Sequence, residues 1–401
     1  NRWNFGFSLI SILCKESLME IKTADSILEF IKTLYPGETP VPLHAPRFLG
    51  NEKKYLAECV DTTYVSYVGK FVSDFEEHMK RVTGVRNAVA MVNGTAALQM
   101  VLMAADVKPG EEVITQALTF AATAAGIKHA GAEPSFVDVD RDTMGMSPES
   151  LRDYLASNAE LKEGQVYNRI TGRRIATVML MHKFGHPVRP PETMKISSEY
   201  GIQVIEDAAE SLGSLYDGNH TGTFGRAAIL SFNGNKPVTT GGGGMVITND
   251  DTLAERARYL STTAKRKHRW EFVHDEVGYN LRLPNVNAAL GCAQMEYLDR
   301  IIENKRETAV RYQHFFESVG VHFFTEPAKC RSNYWLNVII LNDRAEREQF
   351  LAYSNDNGVQ TRPIWTLMTK LPPYLSCPHS ATPNSEWLED RVVNIPSSVR
   401  I

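Results

Sequence analysis

The chain has few cysteines and no paired cysteine motif. Its 401 residues include only Cys14, Cys59, Cys292, Cys330 and Cys377. Because their number is odd, their spacings are irregular and no C-x-x-C pair occurs, the sequence indicates neither a zinc site nor a disulfide framework. We predict no metal site, and the scattered thiols are typical of a cytoplasmic protein with reduced cysteines.

Long apolar runs and an excess of basic charge are also absent. The apolar stretch FGFSLISIL near the start is too short to cross a bilayer. The formal net charge of -4 gives no whole-molecule attraction to nucleic acid or an anionic membrane, so local donors must hold any anionic ligand. We expect residues 1–18 to be an upstream extension or a cloning addition before a natural start at Met19.

Short apolar segments alternate with longer amphipathic ones between about residues 85 and 250. We predict strands at 88–92, 112–115, 134–140, 175–181, 203–207, 227–232 and 243–249. Strands that alternate with helices indicate a mostly parallel sheet with helices on both faces. We therefore predict an α/β fold with a large domain over residues 19–275 and a smaller α+β domain over residues 276–401.

The sequence NGTAA follows the first predicted strand. Gly94, Thr95 and Ala96 would open a helix whose first N–H groups lack intrahelical partners, which is a favourable place for a phosphate. An ordinary strand-to-helix turn capped by Asn or Thr would explain the same residues. The turn alone leaves both interpretations open.

A carboxylate ends the predicted strand QVIED. Asp207 either faces a ligand at the strand end or caps the next helix. The side chain of Glu206 should point to the opposite face, because side chains alternate along a strand. Both interpretations of Asp207 therefore stay open.

A lone lysine precedes a run of four glycines in SFNGNKPVTTGGGG. No other charge flanks Lys236 in this stretch, and an amine in such poorly solvated surroundings can act as a nucleophile. Ser231 offers a hydroxyl to an anion. Phe120, after another strand, either covers a planar ring or belongs to the core. Together with the phosphate turn and Asp207, these residues are the parts needed to hold pyridoxal phosphate (PLP).

The ordered motifs resemble one enzyme family. NGTAAL, TFAAT, HKFGHP, VIEDAAESLGS, SFNGNKPVTTGGGG, GYNLRLPNVNAALG and TRPIW are similar to those of the DegT/StrS-type (DegT/DnrJ/EryC1/StrS) nucleotide-sugar aminotransferases, which have the aspartate-aminotransferase-like PLP fold type I. VPLHAPRFLGNEKKYLAECVDTTYVS, NYWLNVIIL and RVVNIPSS resemble the LegC-type group of legionaminic-acid and bacillosamine-type pathways.

The resemblance assigns roles to the matching positions. It implies that Lys236 carries the cofactor as a Schiff base, that Asp207 pairs with the pyridine nitrogen, and that Glu210 lies near the 3-oxygen. It further implies that Phe120 stacks on the cofactor ring. The phosphate ligands that it implies are Gly94, Thr95, Ala96 and Ser231. Asn280 matches a residue that reaches the phosphate from a neighbouring subunit, which implies a homodimer with shared active sites. Many relatives carry Gln or His at the position of Glu210.

The resemblance also implies the reaction. We expect an amino group to pass from L-glutamate to C4 of a 4-keto-6-deoxy nucleotide sugar, with UDP-2-acetamido-4-keto-2,4,6-trideoxyglucose as the acceptor. The UDP-4-amino sugar would serve surface-glycan and lipopolysaccharide biosynthesis. We expect no nucleic-acid or membrane partner.

Cations for the substrate's diphosphate must come from local clusters. Lys265 and Arg266 begin the run KRKHR, which is either such a cluster or a solvated surface. Arg362 in TRPIW is a second candidate. His182 and His186 follow the strand at 175–181 and would line the pocket, although lone histidines are more often structural.

Three other functions compete with the transaminase. A nicotinamide-dependent oxidoreductase would need G-x-G-x-x-G between a first strand and its helix, but TGGGGM lies between two predicted strands. A PLP-dependent sugar dehydratase of this fold would carry histidine in place of Lys236. A non-catalytic regulatory binding protein would not need the lysine.

Overall fold

The computed structural model describes residues 19–400, so the predicted extension over residues 1–18 lies outside the described residues. Among residues 19–400, no helix is both long enough and apolar enough to span a lipid bilayer.

The helices and strands are defined here in chain order. The helices are α1 (Ile21–Leu34), α2 (Glu52–Asp61), α3 (Lys70–Thr83), α4 (Gly94–Ala104), α5 (Ala121–His129), α6 (Pro148–Asn158), α7 (Pro190–Glu199), α8 (Asp251–Ser261), α9 (Asn285–Met295), α10 (Leu298–Val319), α11 (Arg344–Asp356) and α12 (Pro383–Glu389). The strands are β1 (Asn87–Met91), β2 (Glu112–Gln116), β3 (Glu133–Val137), β4 (Ala159–Lys162), β5 (Gln165–Asn168), β6 (Ile175–Met181), β7 (Gln203–Asp207), β8 (Leu215–Tyr216), β9 (Asn219–His220), β10 (Ala227–Ser231), β11 (Gly244–Thr248), β12 (His322–Phe323), β13 (Cys330–Arg331), β14 (Asn337–Ile340), β15 (Arg362–Pro363) and β16 (Val392–Ile395).

A seven-stranded sheet forms the centre of the molecule, with the order β1-β11-β10-β7-β6-β2-β3. Only β11 runs antiparallel to its neighbours, so the predicted, mostly parallel sheet is confirmed. Alternate residues of β1 pack on opposite faces: Val89 and Met91 contact the side of α4 and α8, whereas Ala88 and Ala90 contact the side of α3 and α9. Helices therefore cover both faces, as predicted.

A second hydrophobic core includes residues from both sides of the predicted domain boundary. An antiparallel sheet of order β12-β14-β16-β15 packs with α10, α11 and also α1, whose Ile27 and Ile31 join Tyr312 and Phe316. The amphipathic face of α1 is buried there, so residue 19 does not begin the large domain. Helix α9 packs on the central sheet instead.

The sheet brings the predicted strand ends to one edge. Strands β1, β2, β7 and β10 all point towards this edge, where β11 begins. Gly244 pairs with both Met91 and Ser231 there. A Cβ added to Gly244 would lie 2.3 Å from the carbonyl oxygen of Asn93 and 2.8 Å from the amide nitrogen of Gly94. The last glycine of the run therefore permits close backbone approach.

Replacing Gly244 should strain this edge. We expect Gly244→Ala to lower the free energy of unfolding by about 1–3 kcal/mol, because backbone atoms would have to move away from the new methyl group. The midpoint of urea unfolding measures the effect. Gly242→Ala is the control, since its Cβ would come no closer than 3.8 Å to Val92 O. Equal midpoints for both variants would contradict the steric explanation.

Candidate active site

The turn between β1 and α4 forms a small cradle. The side chain of Asn93 caps α4 and accepts a hydrogen bond of 2.8 Å from the backbone N–H of Ala96. Ala96 was predicted as a phosphate ligand, but its N–H group already has this partner. Gly94 and Thr95 line the adjacent cavity with Ser231, and a Cβ on Gly94 would lie only 3.0 Å from the Cβ and Oγ atoms of Ser231.

Asp207 ends β7 and lines the same cavity. Its carboxylate accepts hydrogen bonds from the Thr123 hydroxyl at 2.7 Å and from the Ala209 N–H at 3.1 Å. Burial raises the pKa of Asp207, although the hydrogen bond from Thr123 opposes the shift. A carboxylate can accept about four hydrogen bonds, so Asp207 can accept a further donor from a ligand.

The neighbouring Glu206 points away from the cavity, as the alternation of strand side chains predicted. It accepts hydrogen bonds from the N–H groups of three residues and from His182 Nε2 at 2.9 Å; the three are Gly222, Phe224 and Gly225. Burial raises the pKa of Glu206, but the hydrogen bond and charge of His182 together with the N–H groups of Gly225 and Gly222 outweigh burial and hold the value below its usual range.

Neither predicted histidine reaches the cavity. His182 is fully buried between Glu206 and the N–H of Val188, to which its Nδ1 atom serves as acceptor. The ring of His186 lies edge-on to Phe324, and burial lowers its pKa to about 3. The placement of His182 in the substrate site is therefore corrected, because its two ring nitrogens serve the protein's own structure.

The amine of Lys236 lies at the floor of the cavity. Its Nζ atom is 3.3 Å from Glu210 Oε1 and 3.5 Å from the ring centroid of Trp335. Burial lowers the pKa of Lys236, against the opposing charge of Glu210. Burial in turn raises the pKa of Glu210, whose other oxygen accepts the Phe184 N–H at 2.8 Å.

The cavity has a volume of about 630 Å³. Phe120 is 47% exposed at its wall, and its ring centroid lies 5.5 Å from that of Trp365. Arg362 also lines the cavity. Trp335 and Trp365 were not predicted as site residues, because the surrounding sequences NYWLNVIIL and TRPIW carry no local pattern that separates a pocket tryptophan from a core one.

Three predicted residues lie outside this cavity. Lys265, Arg266 and Asn280 belong to the segment between α8 and α9. Lys265 Nζ is 3.8 Å from the ring centroid of Phe272, and Arg266 is paired with Asp275. Asn280 is exposed. The same chain does not bring these residues to Lys236.

Comparison with known proteins places the chain in a family. Residues 48–401 match the DegT/DnrJ/EryC1/StrS aminotransferase family. The chain belongs to this family. It is 36% identical to the GDP-perosamine synthase of Escherichia coli O157:H7, over 89% of this chain and 93% of that protein.

Solved structures have the same fold. A DegT/DnrJ/EryC1/StrS aminotransferase from Brucella abortus is 28% identical, has a TM-score of 0.78, and matches 86% of this chain and 90% of its own. The PMP form of Spr1654 from Streptococcus pneumoniae is 19% identical, has a TM-score of 0.81, and matches 90% and 93% of the two chains. The predicted PLP fold type I is confirmed.

The cofactor of this aminotransferase is pyridoxal phosphate, and the residues fit it. The missing Cβ of Gly94 leaves room beside Ser231 for a phosphate at the start of α4. Asp207 is a buried acceptor that would suit a ring N–H, and Lys236 would supply the amine that binds the cofactor aldehyde.

Glu210→Gln should lower the pKa of Lys236, because the anion that favours the charged amine is removed while the side-chain shape is kept. We expect the midpoint of Lys236 acetylation by acetic anhydride to move to lower pH. Mass spectrometry of the cofactor-depleted full chain measures this reaction. Exposed Glu317→Gln is the control, and an unchanged midpoint in Glu210→Gln would show that the pair does not set the amine's charge.

Proposed function

We propose that this enzyme transfers an amino group from L-glutamate to C4 of a 4-keto-6-deoxy nucleotide sugar. The observation that carries the proposal is the convergence of Lys236, Asp207 and the Gly94–Ser231 cradle on one cavity of the DegT-family fold. The name of the E. coli relative, a GDP-perosamine synthase, supports a 4-amino-sugar product.

Each residue has a defined task in this reaction. When bound, PLP withdraws electrons from the substrate carbon that bears the amino group. Lys236 Nζ would move a proton between that carbon and the cofactor carbon bonded to the substrate nitrogen, which requires an amine that can lose its charge near neutral pH. Arginine could not act in this way, because it stays protonated. Asp207 keeps a proton on the ring nitrogen through a charge-assisted hydrogen bond.

Two acceptors are supported by different observations. The resemblance to LegC-type enzymes favours UDP-2-acetamido-4-keto-2,4,6-trideoxyglucose and a role in legionaminic-acid or bacillosamine-type pathways. The 36% identity to a GDP-perosamine synthase favours a GDP-linked sugar. We place the UDP-linked sugar first, with Arg362 at the cavity wall as a contact for sugar or phosphate.

Lys236→Ala should abolish transamination while PLP remains able to bind, with kcat falling at least roughly 10²–10⁴-fold. The measurements are the loss of the cofactor's visible band on adding L-glutamate and the amino-sugar yield from UDP- and GDP-linked 4-keto-6-deoxy sugars. Lys195→Ala, at an exposed position, is the control. Sugar dehydration without amine transfer would favour the dehydratase, and ligand binding without turnover would favour the regulatory protein.

We further propose a homodimer with shared active sites. Large apolar side chains are exposed on two segments near α2 and α9: Val60, Tyr64, Val65, Tyr67, Val68, Trp270, Phe272, Val273 and Val277. Clusters of this kind are typical of protein interfaces. In such a dimer, Asn280, Lys265 and Arg266 would serve the site of the neighbouring subunit.

Shared sites predict complementation between two inactive variants. Lys236→Ala and Asn280→Ala homodimers should each have little activity, whereas subunit exchange should restore activity, because a hybrid dimer holds one site with both native residues. Steady-state rates after mixing, compared with each variant mixed with itself, measure this. Full activity of the Asn280→Ala homodimer, or no recovery after confirmed exchange, would contradict shared sites.

A further inference from the structure

A tryptophan from the smaller domain covers the reactive amine. Trp335 lies just before β14, whereas Lys236 belongs to the loop after β10 of the central sheet. The Lys236 Nζ atom lies 3.5 Å from the centroid of the indole, well within the 6 Å range of a cation–π contact. Both side chains are largely buried.

Hydrogen bonds fix the indole on the lysine loop itself. Trp335 Nε1 donates to the carbonyl oxygen of Asn235 at 2.6 Å, one residue before Lys236. The backbone N–H of Trp335 donates to Asn333 Oδ1 at 2.7 Å. The Asn333 amide in turn donates to the carbonyl oxygen of Glu210 at 3.0 Å. Trp335 is therefore bonded directly to Asn235, the neighbour of Lys236 in the chain, and through Asn333 to Glu210, whose carboxylate contacts the amine.

A buried lysine holds the other side of the Trp335 backbone. Lys305 Nζ donates to the Trp335 carbonyl oxygen at 3.1 Å and also to Ser397 O and His44 Nε2. Gly185 makes room for this arrangement, since a Cβ there would lie 2.8 Å from the Trp335 amide nitrogen. The position of the ring is thus determined from three sides.

Several groups act on the charge of Lys236. Glu210 and, more weakly, Asp207 favour the ammonium form, burial disfavours it, and the nearby His44 is kept neutral by its own burial. An indole face attracts a cation, and it does so most strongly where water is excluded. The ring therefore adds a second attraction beside the carboxylate of Glu210.

We propose that Trp335 is a positioning residue whose indole face holds the charged amine of Lys236 against Glu210, at the place from which that amine moves protons during transamination. The inference rests on the proposed function. A lysine that must leave and rejoin its cofactor in every cycle needs a defined resting place, because its four-carbon stem is flexible. The indole and Glu210 provide one.

The test compares Trp335→Leu, Trp335→Phe and the wild type. In the cofactor-depleted full chain, the acetylation rate of Lys236 is measured against pH and normalised to its high-pH plateau. Loss of the cation–π contact should move the midpoint to lower pH, so that the normalised rate well below the midpoint rises about tenfold in Trp335→Leu. If the substitution merely opened the site to water, the midpoint would move to higher pH instead.

Trp335→Phe keeps an aromatic ring, so it should move the midpoint to lower pH by a smaller amount than Trp335→Leu. It replaces the leucine variant if that one fails to fold.

Trp387→Leu is the matched control, because Trp387 also faces guanidinium groups, those of Arg141 and Arg391, but lies outside the cavity. It should leave the midpoint unchanged.

A second measurement uses the holoenzyme. Trp335→Leu should lower the limiting rate of the half-reaction with L-glutamate about tenfold, whereas the L-glutamate concentration that gives half of the limiting rate should stay within about twofold of the wild-type value. An unmoved or raised midpoint in the Trp335 variants would overturn the inference. A wild type that does not react with L-glutamate would overturn the proposed donor instead, while the acetylation arm would still decide the role of Trp335.

Discussion

An amine loses its hydration when it is buried, and this loss favours the uncharged form. Lys236 is placed under this constraint at the floor of the cavity, where burial lowers its pKa. Glu210 at 3.3 Å and the indole of Trp335 act in the opposite direction. Burial and these two contacts therefore act in opposite directions on the charge of the amine that, in the proposed transamination, must both bind and release a proton.

Two adjacent carboxylates at the end of β7 have opposite pKa shifts and different partners. Glu206 and Asp207 are both buried, yet the pKa of Glu206 is lowered and that of Asp207 is raised. Glu206 is surrounded by protein donors, including His182. Asp207 accepts hydrogen bonds from fewer protein donors and lines the cavity, so its carboxylate can accept a further hydrogen bond from a molecule bound there. Because side chains alternate along a strand, Glu206 bonds to groups of the protein on one face of the sheet, whereas Asp207 lines the cavity on the other.

Local patterns predicted the strands of the central sheet and several residues that the structure brings to one cavity. The strands at 175–181 and 203–207 match β6 and β7, and parallel strand order was sufficient to bring Gly94, Asp207 and Lys236 to one edge. Tertiary contacts decided what was missed. The pairing of His182 with Glu206 and the packing of α1 in the smaller domain depend on partners that are distant in the sequence. The cap of α4 by Asn93 was one of two alternatives that the sequence left open, and the hydrogen bond to Ala96 decided it.

The location of α1 also bears on the chemistry. The chain after α1 carries His44, whose Nε2 atom lies 3.0 Å from Lys305 Nζ of α10. The same Lys305 amine donates to the carbonyl oxygen of Ser397. Lys305 also binds the Trp335 carbonyl oxygen, so the three segments of the smaller domain converge directly behind the indole. Because buried hydrogen bonds restrict the alternative arrangements of the groups they join, these contacts of Lys305 support the ring that touches Lys236. The amine's surroundings are therefore set by both domains, and a change in how they pack would reach the reactive nitrogen through Trp335.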